Sequence, residues 1–290
     1  MFIPAEAENL SEETSIALVK QIQTELITTP LSPQAIATTY VKQGSGGTPI
    51  LLLNGFDSSL LEYRRLLPLL AEKKETWALD LLGFGFTHRL ADLNYDPLAI
   101  KTHLYYFWKT LIQQPVILVG ASMGGATAID FTLTYPDTVS KLVLLDSAGF
   151  AKPPATGKLM FPPLDRLATA FLSNPNVRKN ISRNAYYNKN FATQDAQICA
   201  SLHLQCDRWS EALIAFTKSG GYGYFGDRLG EIKQPTLILW GENDRILGTK
   251  DAAKFEQKIS NSKLVWISEC GHVPHLEKAQ NVAEEIFKFL

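Results

Sequence analysis

Val116-Ile117-Leu118-Val119-Gly120-Ala121-Ser122-Met123-Gly124-Gly125 is the stretch on which the fold turns. An apolar run of strand character, Pro115 to Val119, leads into Gly-x-Ser-x-Gly, and small residues open a helix behind it. That is the strand, sharp turn and helix of a nucleophile elbow. Ser122 has to sit on a turn too tight for bulky neighbours, hence Gly120 and Gly124 two positions to either side. The turn lifts the hydroxyl above the sheet. The helix behind it points free backbone N–H groups at any oxyanion that forms there. Five residues recur by chance in many chains, so the flanking strand and helix are what make Ser122 a candidate nucleophile.

After Ser122 the next clear strand is Thr236–Trp240, followed by Gly241-Glu242-Asn243-Asp244-Arg245. Asp244 lies past the strand's C-terminal end, where ligands and catalysts gather in open α/β sheets. Lys263–Ile267 reads as a further strand, with the exit loop Glu269-Cys270-Gly271-His272-Val273-Pro274-His275. Ser, then Asp, then His resembles the chain order of the α/β-hydrolases. In that arrangement His272 takes the proton from Ser122, and Asp244 holds its tautomer and stabilises the imidazolium. Glu242 is a rival acid, as is Asp146 after Leu142–Leu145, and His275 is a rival base. His272 follows Gly271 directly and lies nearest the strand end, so it is preferred. His275 is expected to cap or pack at the start of the last helix, and His88, His103 and His203 are read as structural.

The second oxyanion donor comes from the loop after an earlier strand. Pro49–Leu53 is that strand and Asn54-Gly55-Phe56-Asp57-Ser58-Ser59 the loop, which makes the backbone N–H groups of Phe56 and Met123 the candidate donors. Where the family usually has His-Gly this chain has Asn54-Gly55. The donor is backbone, so the hole survives the exchange, and Asn54 is expected to make hydrogen bonds within its loop.

Length and composition fit one large α/β domain with an insertion: 290 residues, 46% hydrophobic and 20% charged. A net charge of −1 gives no reason to expect nucleic acid. Cys199, Cys206 and Cys270 form no disulfide framework and no metal-ligand spacing, which suits a reducing compartment. No apolar run reaches the roughly 18 residues of a membrane span. The first residues, with Glu6, Glu8, Glu12 and Glu13, do not read as a signal peptide. Neither a cofactor nor a metal is expected.

Elements alternate along the chain. Ser11 is a candidate N-cap for a helix whose stripe Ile16, Val19, Ile22 and Leu26 runs to about Thr28. Strands are expected at Ile36–Lys42, Pro49–Leu53, Thr76–Leu79 and Lys141–Leu145, with helices around Leu60–Glu72, Pro97–Ile112 and Ala126–Tyr135. This pattern predicts a mostly parallel sheet covered by helices on both faces. The alternation stops after Ser147 and resumes at Pro235. The expected organisation is therefore a core of 1–147 and 233–290 with a helical cap inserted at 148–232. The cap carries ten Lys and Arg against six Asp and Glu. Leu159-Met160-Phe161-Pro162-Pro163-Leu164 is an uncharged apolar run within it, so Met160, Phe161 and Leu164 are candidates for substrate or membrane contact.

The sequence resembles the chlorophyll dephytylases, a branch of the α/β-hydrolases found in oxygenic photosynthetic organisms. The stretches that carry the resemblance are Leu-Leu-Leu-Asn54-Gly-Phe-Asp-Ser-Ser-Leu-Leu-Glu62-Tyr-Arg64, Thr76-Trp-Ala-Leu-Asp80-Leu-Leu-Gly-Phe-Gly-Phe86 and Pro115-Val-Ile-Leu-Val-Gly-Ala-Ser122-Met-Gly. They are followed by Ala128-Ile-Asp130-Phe, Tyr135-Pro and Lys141-Leu-Val-Leu, so the match covers about 50–147. The resemblance implies hydrolysis of the phytyl ester of chlorophyll to chlorophyllide and phytol. It also implies peripheral contact with the cytoplasmic side of a photosynthetic, thylakoid membrane. A general carboxylesterase or lipase, or a carbon–carbon bond hydrolase, would use the same triad. A silent pigment-binding member of the fold would have no need of it.

Overall fold

The computed structural model describes residues 3–150 and 163–290. Met160 and Phe161 lie outside the described residues, as does most of the apolar run that contains them. A short helix α1 (Glu13–Lys20) precedes the hairpin β1 (Gln23–Thr29) and β2 (Ser32–Gln43). Then come β3 (Ile50–Leu53), α2 (Leu66–Ala71), β4 (Thr76–Leu79), α3 (Pro97–Phe107), β5 (Val116–Ala121), α4 (Met123–Thr134) and β6 (Val139–Leu145). The helices α5 (Leu164–Ser173), α6 (Pro175–Ala185), α7 (Gln194–Cys199) and α8 (Trp209–Lys218) intervene before β7 (Thr236–Gly241). The chain ends with α9 (Ala252–Lys258), β8 (Ser262–Ile267), α10 (Pro274–Glu277) and α11 (Ala279–Phe289).

The eight strands among the described residues form one sheet in the order β1-β2-β4-β3-β5-β6-β7-β8. β2 is antiparallel to both β1 and β4, and the pairs from β4 through β8 are parallel. β3, β4 and β5 bury every residue, the unbroken apolar run of a sheet covered on both faces. Their period of two sorts the core. Leu51, Leu53 and Leu118 pack with Ile100 and Phe107 of α3, Ile129 of α4 and Phe255 of α9. Ile50, Leu52 and Val119 pack with Leu18 of α1, Leu66 and Leu70 of α2, and Val282 and Ile286 of α11.

Two expectations at the start of the chain are corrected. The first helix ends at Lys20, and the Gln23–Thr29 segment is a strand. Its pairing with β2, from Gln23 opposite Tyr40 to Thr29 opposite Ser32, satisfies its backbone; Thr24, Ile27, Thr28 and Thr29 suit an extended chain. Ile27 is fully buried and Leu26 points outward at 63% exposure, the alternation of a strand. Nor is Ser11 the N-cap. Glu12 holds that position without a side-chain bond. The Ser11 hydroxyl and the N–H groups of Ser11 and Glu12 donate instead to Asp195 of α7. The Leu60–Glu72 helix is also divided, into a 3-10 turn (Leu60–Tyr63) and α2.

Candidate active site

Four residues sit at the C-terminal ends of four adjacent parallel strands. Ser122 follows β5, Asp146 follows β6, Asp244 follows β7 and His272 follows β8. Parallel strands place all these ends along one edge of the sheet, so residues up to 150 positions apart in sequence converge.

The elbow at Ser122 is built by exclusion. A Cβ on Gly124 would lie 2.1 Å from the Leu53 carbonyl oxygen, and one on Gly120 2.2 Å from the Gly124 oxygen. Only glycine lets α4 come this close to β3 and β5. Ser122 itself has φ 52° and ψ −117°, a strained conformation for a residue with a side chain. It is locked by its N–H donating to Leu145 O (3.0 Å), while its carbonyl accepts from Gly125 and Ala148. Met123 is the first residue of α4, so its N–H has no carbonyl one turn back in the helix. Among the described residues the Phe56 N–H has no acceptor either. Both proposed donors are thus available to an oxyanion.

His272 and Asp244 meet. His272 Nδ1 is 2.9 Å from Asp244 Oδ2, and both residues are buried. Asp244 Oδ1 accepts from the N–H groups of Ile246 (2.7 Å) and Leu247 (3.1 Å), which fixes the carboxylate plane. Burial works to raise the Asp244 pKa, but the hydrogen bond and charge of His272 and these amides hold it below the ordinary value. Ser122 and His272 both line a cavity of about 260 Å³ whose far wall comes from α6 and α7. The Ser122 hydroxyl makes no hydrogen bond among the described residues; contacts of this kind commonly tighten only in the Michaelis complex.

The sequence matches the alpha/beta hydrolase fold family over residues 48–279. The chain belongs to that family. It is 33% identical over 99% of its length, and 89% of the relative's, to the alpha/beta hydrolase domain-containing protein VTE7 of Arabidopsis thaliana. It is 26% identical, over 98% of its own length and 95% of the relative's, to the 2-hydroxy-6-oxo-6-(2'-aminophenyl)hexa-2,4-dienoic acid hydrolase of Metapseudomonas resinovorans. Among solved structures, a thermophilic esterase from Thermogutta terrifontis shares the fold at a TM-score of 0.79 and 22% identity, covering 92% of this chain and 97% of that one.

The rival acids of this hydrolase separate clearly in space. Glu242 makes no bond to His272 among the described contacts. Asp146 is much nearer: one ligand atom each of Asp146, Asp244 and His272 lies within 4.8 Å of the others. That is the one described cluster close enough to hold a cation, but Nδ1 and Oδ2 already engage each other. Asp146 Oδ1 accepts from Gly241 N–H at 3.0 Å. Full burial, with the Asp244 charge beside it, raises its pKa well above the usual carboxyl range, so Asp146 carries the proton of the pair.

His275 does not meet Asp244. It is buried in the same cavity wall, its ring centroid 5.2 Å from that of Tyr63 and its Nε2 3.7 Å from Glu62 Oε1. Burial pushes its pKa down to about 3, so it stays neutral. The Asn54 amide donates to the carbonyls of Gly55 (2.9 Å) and Ser58 (3.3 Å), and its oxygen accepts from Leu81 N–H (3.0 Å). It therefore stitches the loop that carries Phe56 to the loop after β4.

Two site residues escaped the sequence reading of roles. Glu62 accepts from Gly55 N–H at 3.1 Å, and burial pushes its pKa up to about 7. Arg64 lines the cavity at 1% exposure; its Nη1 donates to the Leu61 carbonyl at 3.3 Å and its Nε lies 3.7 Å from Glu12 Oε2. Both lie in the Gly-Phe-Asp-Ser-Ser-x-x-Glu loop and just past it, so the signal was present without a stated function.

Leu164 is 47% exposed at the start of α5, and Leu167 (61%) and Phe171 (62%) continue its outward face. No helix among the described residues is long and apolar enough to cross a membrane.

Proposed function

We propose that this protein is a serine ester hydrolase that cleaves the phytyl ester of chlorophyll to chlorophyllide and phytol. One observation carries the hydrolytic part: a strained serine on an elbow shares a cavity with a buried histidine–carboxylate pair joined at 2.9 Å. Ser122 Oγ attacks the ester carbonyl carbon while His272 Nε2 takes its proton. The N–H groups of Phe56 and Met123 receive the developing oxyanion. His272 returns the proton to the phytyl oxygen as that bond breaks, leaving an acyl-enzyme. Water, deprotonated by His272, releases the acid. Asp244 keeps the proton on Nδ1 and balances the imidazolium in both steps.

The chlorophyll part is supported by the resemblance of 50–147 to the dephytylases and by the apolar wall that Leu172, Ile181, Ala185 and Leu276 give the cavity. Leu164, Leu167 and Phe171 on one side of α5, with Arg166 exposed on the same helix, suit contact with an anionic membrane surface where such a substrate resides. The deciding experiment incubates the purified chain with chlorophyll a and with p-nitrophenyl butyrate side by side and identifies the products. Chlorophyllide and phytol are expected from the first. Turnover of the nitrophenyl ester alone would leave a general esterase.

The Arg64 guanidinium in the cavity wall favours a second reading, in which the substrate carries a carboxylate, as does the dienoic acid named for the Metapseudomonas relative. Turnover of a dienoic acid of that kind, with no release of phytol from chlorophyll, would select it.

A further inference from the structure

The loop that supplies the Phe56 N–H also carries Asp57, whose carboxylate is almost completely buried. Asp57 Oδ2 accepts from Arg178 Nη1 at 2.6 Å. Oδ1 accepts from Trp209 Nε1 at 2.8 Å and lies 3.1 Å from His203 Nε2. The Asp57 carbonyl accepts from Arg178 Nη2 at 3.2 Å, and the same nitrogen bonds the Ala200 carbonyl. Arg178 belongs to α6, His203 to a 3-10 turn (Leu202–Gln205) and Trp209 to α8. Among the described residues, every side-chain partner of the Asp57 carboxylate therefore comes from the helices inserted between β6 and β7. The Phe56 ring lies between the two parts, 5.9 Å from Phe216 of α8 and 6.1 Å from Phe84 of the core.

Asp57 has φ 49°, in the left-handed region. An L-residue stays there only when its surroundings hold it. Burial opposes its charge, but His203, Arg178 and Trp209 together hold its pKa down at about 2, so the carboxylate is ionised and engaged. The core holds both ends of the loop: Asn54 donates to the carbonyls of Gly55 and Ser58, Gly85 N–H donates to the Ser58 carbonyl, and Glu62 accepts from the Gly55 N–H. Between those ends the Phe56–Asp57 stretch is held by the insertion, through the Asp57 carboxylate and carbonyl.

We propose that Asp57 is a positioning residue: it makes the oxyanion hole correct only when α6, α7 and α8 are seated over the site. The inference rests on the reading of Ser122 as nucleophile and Phe56 N–H as donor. Its consequence is that raising these helices to admit a large substrate disassembles the hole, and reseating them restores it. Chemistry is then confined to the closed state.

The test measures kcat and KM on p-nitrophenyl butyrate, with thermal melts, for the wild type, Asp57→Asn, Arg178→Lys and Trp209→Phe. Loss of one oxyanion donor typically costs about 10²–10³ in kcat. A displaced donor should cost less, so Asp57→Asn should lose roughly ten- to a hundredfold in kcat with KM within about threefold. Arg178→Lys keeps the charge but not the forked contact, and Trp209→Phe removes one hydrogen bond; both should show smaller falls in kcat. Labelling of Ser122 by a fluorophosphonate should slow in parallel. A folded Asp57→Asn with wild-type kcat, or with a lowered melting temperature alone, overturns the proposal. If Asp57→Asn does not fold, unchanged kcat in the other two variants overturns it equally. A wild type that turns over the nitrophenyl ester but not chlorophyll defeats only the substrate reading, whereas turnover by Ser122→Ala defeats both.

Discussion

Replacing Asp146 by Asn separates the two acids that crowd His272. Asp146 and Asp244 are buried with carboxylate oxygens within 4.8 Å of each other. Two charges cannot share that space, so the pair holds one proton. Burial and the neighbouring charge put it on Asp146. An Asn amide has the shape of that protonated carboxyl. Its oxygen can keep the Gly241 N–H and its NH₂ can face Asp244, so turnover should be preserved. Stability should change with pH. In the unfolded chain Asp146 ionises near pH 4, whereas the folded chain keeps the proton far above that. The folded state then binds the extra proton, and stability is lost as pH rises, by about 1.4 kcal/mol per pH unit. Asparagine carries no such penalty. Asp146→Asn should therefore gain stability relative to the wild type as pH rises from 5 to 7, with a slope no steeper than that value of about 1.4 kcal/mol per pH unit. Glu62 and Asp80, both pushed up to about 7 by burial, impose the same sign but are common to both proteins and cancel in the difference. Urea unfolding at pH 5, 6 and 7, followed by circular dichroism, reads the slope. Parallel curves would refute the shared proton. A fall in turnover of about 10⁴, the size expected of Asp244→Asn, would make Asp146 the working acid.

Ser122→Ala should lower ester turnover by about 10⁴–10⁶ while leaving the melting temperature near that of the wild type, and should abolish fluorophosphonate labelling. The buried histidines act with the opposite sign to the buried carboxyls. Burial pushes His103 down to about 4 and His275 to about 3, while in the unfolded chain both take up protons near pH 6.5. Their contribution to stability is therefore lost as pH falls below 6.5, by up to about 1.4 kcal/mol per pH unit for each. The other groups cancel in the difference between variant and wild type, so His103→Gln should gain stability relative to the wild type as pH falls from 6 to 4.5, read from urea unfolding curves. Changing Leu167 and Phe171 to Ser should reduce binding to anionic liposomes and hydrolysis of membrane-embedded chlorophyll, with p-nitrophenyl butyrate turnover kept. Equal loss on both substrates would mean that this face supports the fold rather than a membrane.

Local patterns and chain order made much of this protein legible without coordinates. The apolar runs of β3, β4, β5 and β7 read as strands because a doubly covered parallel sheet buries both faces of each strand. Gly120 and Ser122 could be read because part of the elbow's sterics acts within five residues, Gly120 against the Gly124 carbonyl, whereas the clash that demands Gly124 comes from Leu53 of β3. The order Ser122, Asp244, His272 located the candidate triad because each residue follows a strand whose end is set by topology. The first segment was misread because Gln23–Thr29 satisfies an apolar stripe as well as a strand; pairing with β2, a partner distant from the helix signal, decided it. Only tertiary structure could show which acid reaches His272, since Asp146 and Asp244 follow equivalent strands and differ by a bond at 2.9 Å. The same holds for Asp57. Its partners lie more than 120 residues away, and burial, which no local pattern records, gives their meeting its energy. Short-range sterics and hydrophobic periodicity are written in neighbouring residues, whereas proton sharing and long-range ion pairing depend on distances that exist only once the chain has folded.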